Sequence, residues 1–310
     1  MRENDFLKWI AEHTPVHSGV PLGIGDDMAA VLLGGTNPLA LLKIDQCLDL
    51  VHFDLRKHSA SQAGTKAVNR CLSDCAAMAC SPAAIMISVA LPNEGPGSGE
   101  SFAQELFLAC QAAAAKFNCP LVGGDTSIWD QRLAITVAAL GAATSNKLIT
   151  RSGAKPGDTI FVSGALGGSI LGRHLSFSPR IELAKKILAA AGEKLHAMMD
   201  LSDGLAQDLP RLATASNVGA EIHTANLPIH EDAYTLSEND HIPAGLHALA
   251  DGEDYELLFA LDPEAVPNIV NLTDIPLTAI GTVTADKKLA LVDETGKSHP
   301  WPNIGWQHKS

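Results

Sequence analysis

Six short stretches of the chain set carboxylates among small or apolar residues. They are GIGDD (Asp26, Asp27), KID (Asp45), LSD (Asp74), GGDTS (Asp125), MDLSDG (Asp200, Asp203) and DGEDYE (Asp251, Glu253, Asp254). A solvated acidic helix face interleaves its acids with lysines at helical spacing, and these acids are not interleaved. Carboxylates crowded in apolar surroundings repel one another and titrate upward unless a cation joins them. Magnesium suits that role, because it takes hard oxygen ligands, keeps several waters and binds through one or two carboxylates plus phosphate oxygens. The chemistry this pattern points to is the handling of a polyphosphate. Each motif alone also has a purely structural reading. Asp26 or Asp27 after Gly25 could be a turn or cap, and Asp74 could cap a helix over AAMA. Gly123-Gly124-Asp125-Thr126 is either a plain turn or a close backbone approach to a ligand, and Ser202 or Asp203 could cap the helix that follows.

The elements that must position these acids read as mixed α/β. Residues 3–12 pattern as a short amphipathic helix with Phe6, Trp9 and Ile10 on one side. AAVLL, LALLKID, AAIMISVAL and LAITVAALGAA pattern as strands, and residues 59–79 and 99–117 as helices. A basic, Gly/Pro-punctuated link, Thr150 to Asp158, then breaks the pattern before the strand TIFVSG. The expected division is therefore 1–148 and 149–310. The second unit continues with a glycine loop, GALGGSILGRHL, helices over 179–192 and 203–216, strands near 219–223, 256–261 and 278–283, and an irregular tail. GALGGSILG alone says little about phosphate binding, since the strand-to-helix dinucleotide fingerprint is missing.

Composition narrows the function class. The 310 residues carry 22 Lys and Arg against 35 Asp and Glu, a net charge of -13, which gives no global drive to bind nucleic acid. A bound divalent ion inverts that logic locally, so anionic nucleotides remain candidate ligands. No run reaches the length of a membrane span, and MRENDFLKWI lacks a basic stretch before an apolar one, so the expectation is a cytoplasmic protein without membrane contact. The six cysteines lie in the first half without paired C-x-x-C spacing, which reads as reduced, buried thiols rather than a zinc site.

Taken in order and spacing, GIGDDMAAV, the Asp45-to-Phe53 stretch, KAVNRCLSDCAAMACSP, LVGGDTS, TRSGAKPGD, MDLSDGLAQDL and DGEDYELLF resemble the thiamine-monophosphate kinase family of the AIR synthetase superfamily, nearly end to end. The resemblance implies a two-domain AIR synthetase-like α/β (α+β) fold. Its N-terminal domain contributes strands to a barrel shared across a homodimer, and its C-terminal domain is α/β. It implies that Asp27, Asp45, Asp74, Asp125 and Asp200 hold several Mg2+ ions bridging ATP, with Asp203 on a further ion. It puts Gly124, Asp125, Arg151 and Ser202 on the nucleotide, and His52, Glu253 and Trp306 on thiamine monophosphate. An arginine fork suits phosphate oxygens, and an aromatic face suits a cationic thiazolium. His52 read alone is as well a structural histidine, Trp306 tail packing, and Arg151 a partner of Asp158. The acceptor is itself an anionic phosphate, so in-line transfer needs no general base and none is assigned.

Three positions depart from the family pattern. Lys43-Ile44 stand where hydroxyl residues precede the second aspartate, which removes a metal ligand and offers an ammonium in place of one ion's charge. Leu50 replaces a glycine near His52, and Cys71 replaces an asparagine ahead of LSD. Two other readings remain at this stage. Another ATP-using enzyme of the superfamily would have to explain TRSGAKPGD and DGEDYELLF, and a nucleotide-binding regulator without turnover would have little reason to keep every acid.

Overall fold

The computed structural model describes residue 13 and residues 18–23, 25–33, 39–143 and 148–305. The helix expected over 3–12 and Trp306 lie outside the described residues. The first sheet has the order β1 (Ala29–Leu32), β2 (Leu39–Leu48), β5 (Ala134–Ala142), β3 (Ser81–Pro92), β4 (Leu121–Trp129). All its pairings are antiparallel except β3 with β4. Helix α1 (Ala60–Ala77) covers one face and packs against α2 (Glu100–Ala115). It starts at a capping box, in which the Ser59 hydroxyl accepts from Gln62 N and the Gln62 side chain accepts from Ser59 N.

The second sheet has the order β12 (Ser298–Pro300), β11 (Leu289–Val292), β8 (Gly219–His223), β10 (Leu277–Thr284), β6 (Thr159–Ser163), β9 (Leu257–Leu261), β7 (Leu195–Asp200). Period-2 alternation sends its side chains into two cores. Phe161 and Phe259 stack at 5.3 Å on the side shared with the first half. Ile160, Val162, Leu258 and Ala260 join the other core beneath α4 (Leu205–Ser216). Helix α1 also touches β7 and α3 (Ile181–Ala191), so one alanine-rich helix is packed between the two sheets.

Several expectations change. Asp74 does not cap a helix over AAMA but sits in the last turn of α1, because the apolar pattern of that helix runs unbroken from residue 60. GGDTS is not a turn but the middle of the edge strand β4. A Cβ on Gly124 would lie 1.9 Å from the Ile87 carbonyl oxygen, so this glycine serves the close approach of β3, whereas Gly123 has open space. Neither Ser202 nor Asp203 caps α4, whose N-cap is Gly204. The tail beyond 283 is not irregular, since β11 and β12 pair around a turn that Asp293 closes by accepting from Thr295 N and Lys297 N. β7, α5 (Glu231–Asp240) and α6 (Ala244–Ala250) were not foreseen, being short or weakly amphipathic.

Gly124→Ala should lower stability by about 2 kcal/mol through overpacking against β3. Gly123→Ala should leave the melting temperature nearly unchanged, and thermal melts of the two variants side by side check the pair.

Candidate active site

Three carboxylates from separate elements meet where the two sheets approach one another. Asp27 precedes β1, Asp74 ends α1 and Asp200 ends β7, and one oxygen of each lies within 4.8 Å of the others. All three residues are buried. Each is engaged by a neighbouring side chain: the Arg151 guanidinium bonds Asp27 Oδ1, Lys43 Nζ donates to Asp74 Oδ1 at 2.7 Å, and Ser73 Oγ donates to Asp200 Oδ2 at 2.5 Å. Burial, with the charge of Asp27 second, raises Asp200 to about 6. Burial likewise raises Asp74 well above the usual carboxylate range against the pull of Lys43, and Asp26 to about 6. Burial works against the charge of Lys43, but the carboxylates of Asp74 and Asp45 outweigh it and raise its pKa. Asp27 Oδ2 is buried with no hydrogen-bond partner among the described residues. An orphaned carboxylate oxygen inside such a trio suits a hard divalent cation.

Beside the trio opens a cleft of ≈ 530 Å3 whose lining includes Asp45, His52, Arg70, Ser202, Asp203 and Glu253. Its walls come from both halves of the chain, and Lys66 on α1 joins them. This fully buried lysine donates to the His52 carbonyl at 2.5 Å and to Glu253 Oε2 at 2.8 Å, and lies 2.6 Å from His174 Nδ1. The His52 ring is oriented by Leu48 N, which donates to Nδ1 at 2.9 Å. Glu253 and Tyr255 both take left-handed backbone, at φ 55° and 51°. Their amides donate to the carbonyls of Ser202 (2.7 Å) and Leu201 (2.8 Å), which fixes the DGEDYE loop against the LSD loop. Burial acts to raise the pKa of Glu253, but His174 and Lys66 outweigh it and hold the carboxyl down at about 2. Beneath the LSD loop, the buried Asp208 accepts from Ser202 N and Asp203 N at 3.0 Å each. Arg211 ties Asp208 to Asp203, at 2.6 Å to both.

Of the residues expected from the sequence, Asp27, Asp74 and Asp200 are brought together with Arg151, which pairs with Asp27 and not with Asp158. Asp158 instead lies 2.8 Å from His196. Asp45 borders the cleft through Arg70, at 3.4 Å. Gly124 and Asp125 are not brought to this point. Asp125 is in register with Ser88, Thr136 and Gln46, three strand spacings from β2, or roughly 14 Å. That row alternates with the Asp45, Val137, Ile87 row and belongs to the face α1 leaves open. The glycine loop is filled by the chain itself, for Gly167 N donates to Asp254 at 3.0 Å and Gly168 N to Asp251 at 2.7 Å. Sequence reasoning missed Lys66, Ser73 and Asp208. A lysine between alanines on an apolar helix face and an aspartate in the first turn after LSDG were the available signals.

These features define a carboxylate-built site of the kind that takes a divalent cation with phosphate oxygens. Residues 25–143 match the AIR synthase related protein N-terminal domain and residues 138–294 its C-terminal domain. The thiamine-monophosphate kinase of Rhodopirellula baltica is 39% identical over 289 residues, covering 91% of this chain and 89% of that one. That of Haemophilus influenzae is 33% identical over 91% of this chain and 89% of its own. A solved structure of AaThiL complexed with AMPPCP and TMP aligns at TM-score 0.81 with 28% identity, covering 99% of this chain and 96% of that one. The chain belongs to the thiamine-monophosphate kinase family.

Lys66→Met should cost about 3 kcal/mol, the usual penalty for leaving a buried charge without its partner. A carboxyl held at about 2 against an ordinary 4.5 contributes stability that is complete above pH 4.5 and is lost as pH falls toward 2. Burial lowers the pKa of Lys66 itself, so the net gain is smaller than the Glu253 shift alone implies. Urea midpoints across pH 2–5 should therefore fall less steeply in Lys66→Met than in the wild type.

Proposed function

We propose that this protein transfers the γ-phosphate of ATP to thiamine monophosphate, giving thiamine diphosphate and ADP, with Mg2+ held by its aspartates. The observation that carries this reading is the buried trio of Asp27, Asp74 and Asp200, with its orphaned oxygen, beside a cleft walled by both halves of the chain. The identity with named thiamine-monophosphate kinases supports the choice of substrate. The same reading takes residues 1–148 and 149–310 as the two functional units.

When bound, magnesium supplies charge neutralisation to the phosphate oxygens, which phosphoryl transfer chiefly requires. The residues that would hold it are Asp27, Asp74 and Asp200, with Asp45 and Asp203 at the cleft. The chain's own groups do the positioning. Arg151 offers a planar fork for phosphate, the LSD loop is fixed by Asp208 so that Ser202 faces the cleft, and Lys66 holds the His52 and Glu253 walls in register. The acceptor phosphate is already an anion, so no side chain has to remove a proton. Trp306 is retained as the aromatic cover for the thiazolium.

A homodimer belongs to the same reading. The open face of the first sheet exposes Leu42, Ile44, Met86 and Leu140, and β4 is an edge strand exposed along most of its length. Such a face and edge call for cover by another chain. A second copy gives Gly124 and Asp125 a role across the dimer that roughly 14 Å denies them within one chain. A cytoplasmic address fits the six free, buried cysteines, and no described helix is long and apolar enough to cross a membrane.

Incubation with ATP, Mg2+ and thiamine monophosphate, followed by separation of the mono- and diphosphate, should give magnesium-dependent thiamine diphosphate. A protein that binds ATP yet forms none overturns the reading. Asp74→Asn should lower kcat by about 10²-fold or more with the circular dichroism spectrum unchanged. If Asp125 serves the neighbouring copy, mixing inactive Asp74→Asn with inactive Asp125→Asn chains should restore about a quarter of wild-type turnover, the share of intact sites in randomly paired dimers.

A further inference from the structure

The carboxylate trio already contains a cation of the chain's own making. Lys43 lies on β2, two residues before Asp45, so both side chains leave the strand on the face that α1 covers. Its ammonium reaches Asp74 Oδ1 at 2.7 Å, with the lysine side chain 24% and the Asp74 side chain 9% exposed. Short reach explains the placement. Lys43 pairs with Ala139 on β5, and that small neighbour leaves the space between β2 and the last turn of α1 to the lysine stem.

Fully ionised, the trio would carry three negative charges. The Lys43 ammonium offsets one at Asp74, and the Arg151 guanidinium engages Asp27. Among the described residues, the trio's fully buried oxygen without a partner is Oδ2 of Asp27, whereas Lys43 engages Oδ1 of Asp74. A divalent ion bound at Asp74 Oδ1 would meet the ammonium at close range, where the two cations repel one another in a setting that screens charge poorly.

We propose that Lys43 acts as a permanent monovalent stand-in for one metal ion, so that the trio takes up a single divalent cation and is partly neutralised before nucleotide arrives. The inference rests on the kinase reading only in taking the divalent ion to be magnesium-like. Two consequences follow. The trio tolerates the metal-free state, since its repulsion is relieved by a covalently attached charge. The protein also needs one divalent ion fewer at saturation than the same site would with a small hydroxyl side chain at position 43.

The test is a count of bound Mn2+ by the loss of the free-ion electron paramagnetic resonance signal, with a non-hydrolysable ATP analogue and no thiamine monophosphate. Lys43→Ser should bind one ion more per chain than the wild type, and Lys43→Arg, which keeps the charge, should keep the wild-type count. Without metal, Lys43→Ser should melt below the wild type, and saturating Mn2+ should bring it back to the wild-type melting temperature. An unchanged count in Lys43→Ser overturns the proposal, and so does failure of that variant to fold at saturating Mn2+, since the added ion is expected to replace the ammonium. Absence of thiamine diphosphate formation by the wild type would sink the kinase reading and leave the count standing. Turnover with an unchanged count would sink this inference alone.

Discussion

Three carboxylates within 4.8 Å of one another cannot stay ionised in an interior unless positive charge is built in around them, and the arrangement of both sheets follows from that requirement. Asp27 comes from the entry to the first sheet, Asp200 from the far edge strand of the second, and Asp74 from the helix between them. The cations that answer them have equally distant origins, Lys43 from β2 and Arg151 from the link that joins the two halves. An electrostatic constraint thus ties together segments that hydrophobic burial alone would only bring near. Helix α1 is the pivot, since Ser73 and Asp74 face the trio from its last turn while Lys66, two turns earlier, faces the cleft.

The cleft shows the same principle in a different form. Left-handed backbone at Glu253 and at Tyr255 costs roughly 1–3 kcal/mol each, and it persists only because the surroundings over-determine it. Hydrogen bonds from the Glu253 and Tyr255 amides to the carbonyls of Ser202 and Leu201 hold the loop backbone, and Lys66 holds the Glu253 carboxylate. The strained loop and the LSD loop are therefore one unit, supported from below by Asp208 and Arg211. A wall held in this way presents the Glu253 side chain in a single position before any ligand arrives, which is what positioning without a general base demands.

What could be read in the sequence was the identity of the acids and the type of the long elements. The acids betray themselves because charge in apolar surroundings is rare, and α1 and β2 betray themselves by long runs of period 3.6 and 2. Local pattern does not say which strand ends at an edge, and so GGDTS looked like a turn when it is the interior of β4. Nor does it give partners across long separations. Lys66 meets Glu253 187 residues away, and Ser73 meets Asp200 127 residues away, pairings that only the packed sheets decide. Arg151 had a local candidate in Asp158 and pairs instead with the distant Asp27, while Asp158 is engaged by His196 of β7.

The overall charge of -13 sets the last constraint. A protein this acidic repels free nucleotide at long range, so affinity for an anion has to be created locally and at short distance, within about a Debye length. The chain does so by gathering Lys43, Lys66, Arg70, Arg151 and Arg211 around the trio and the cleft, each already engaged with an acid or a carbonyl. Pre-engaged cations are oriented cations, and the acids that hold them are the same acids that suit a divalent ion. Acidic composition and anion handling are consequently not in conflict here, because the carboxylates fix the positive groups in place and the metal they attract adds to them.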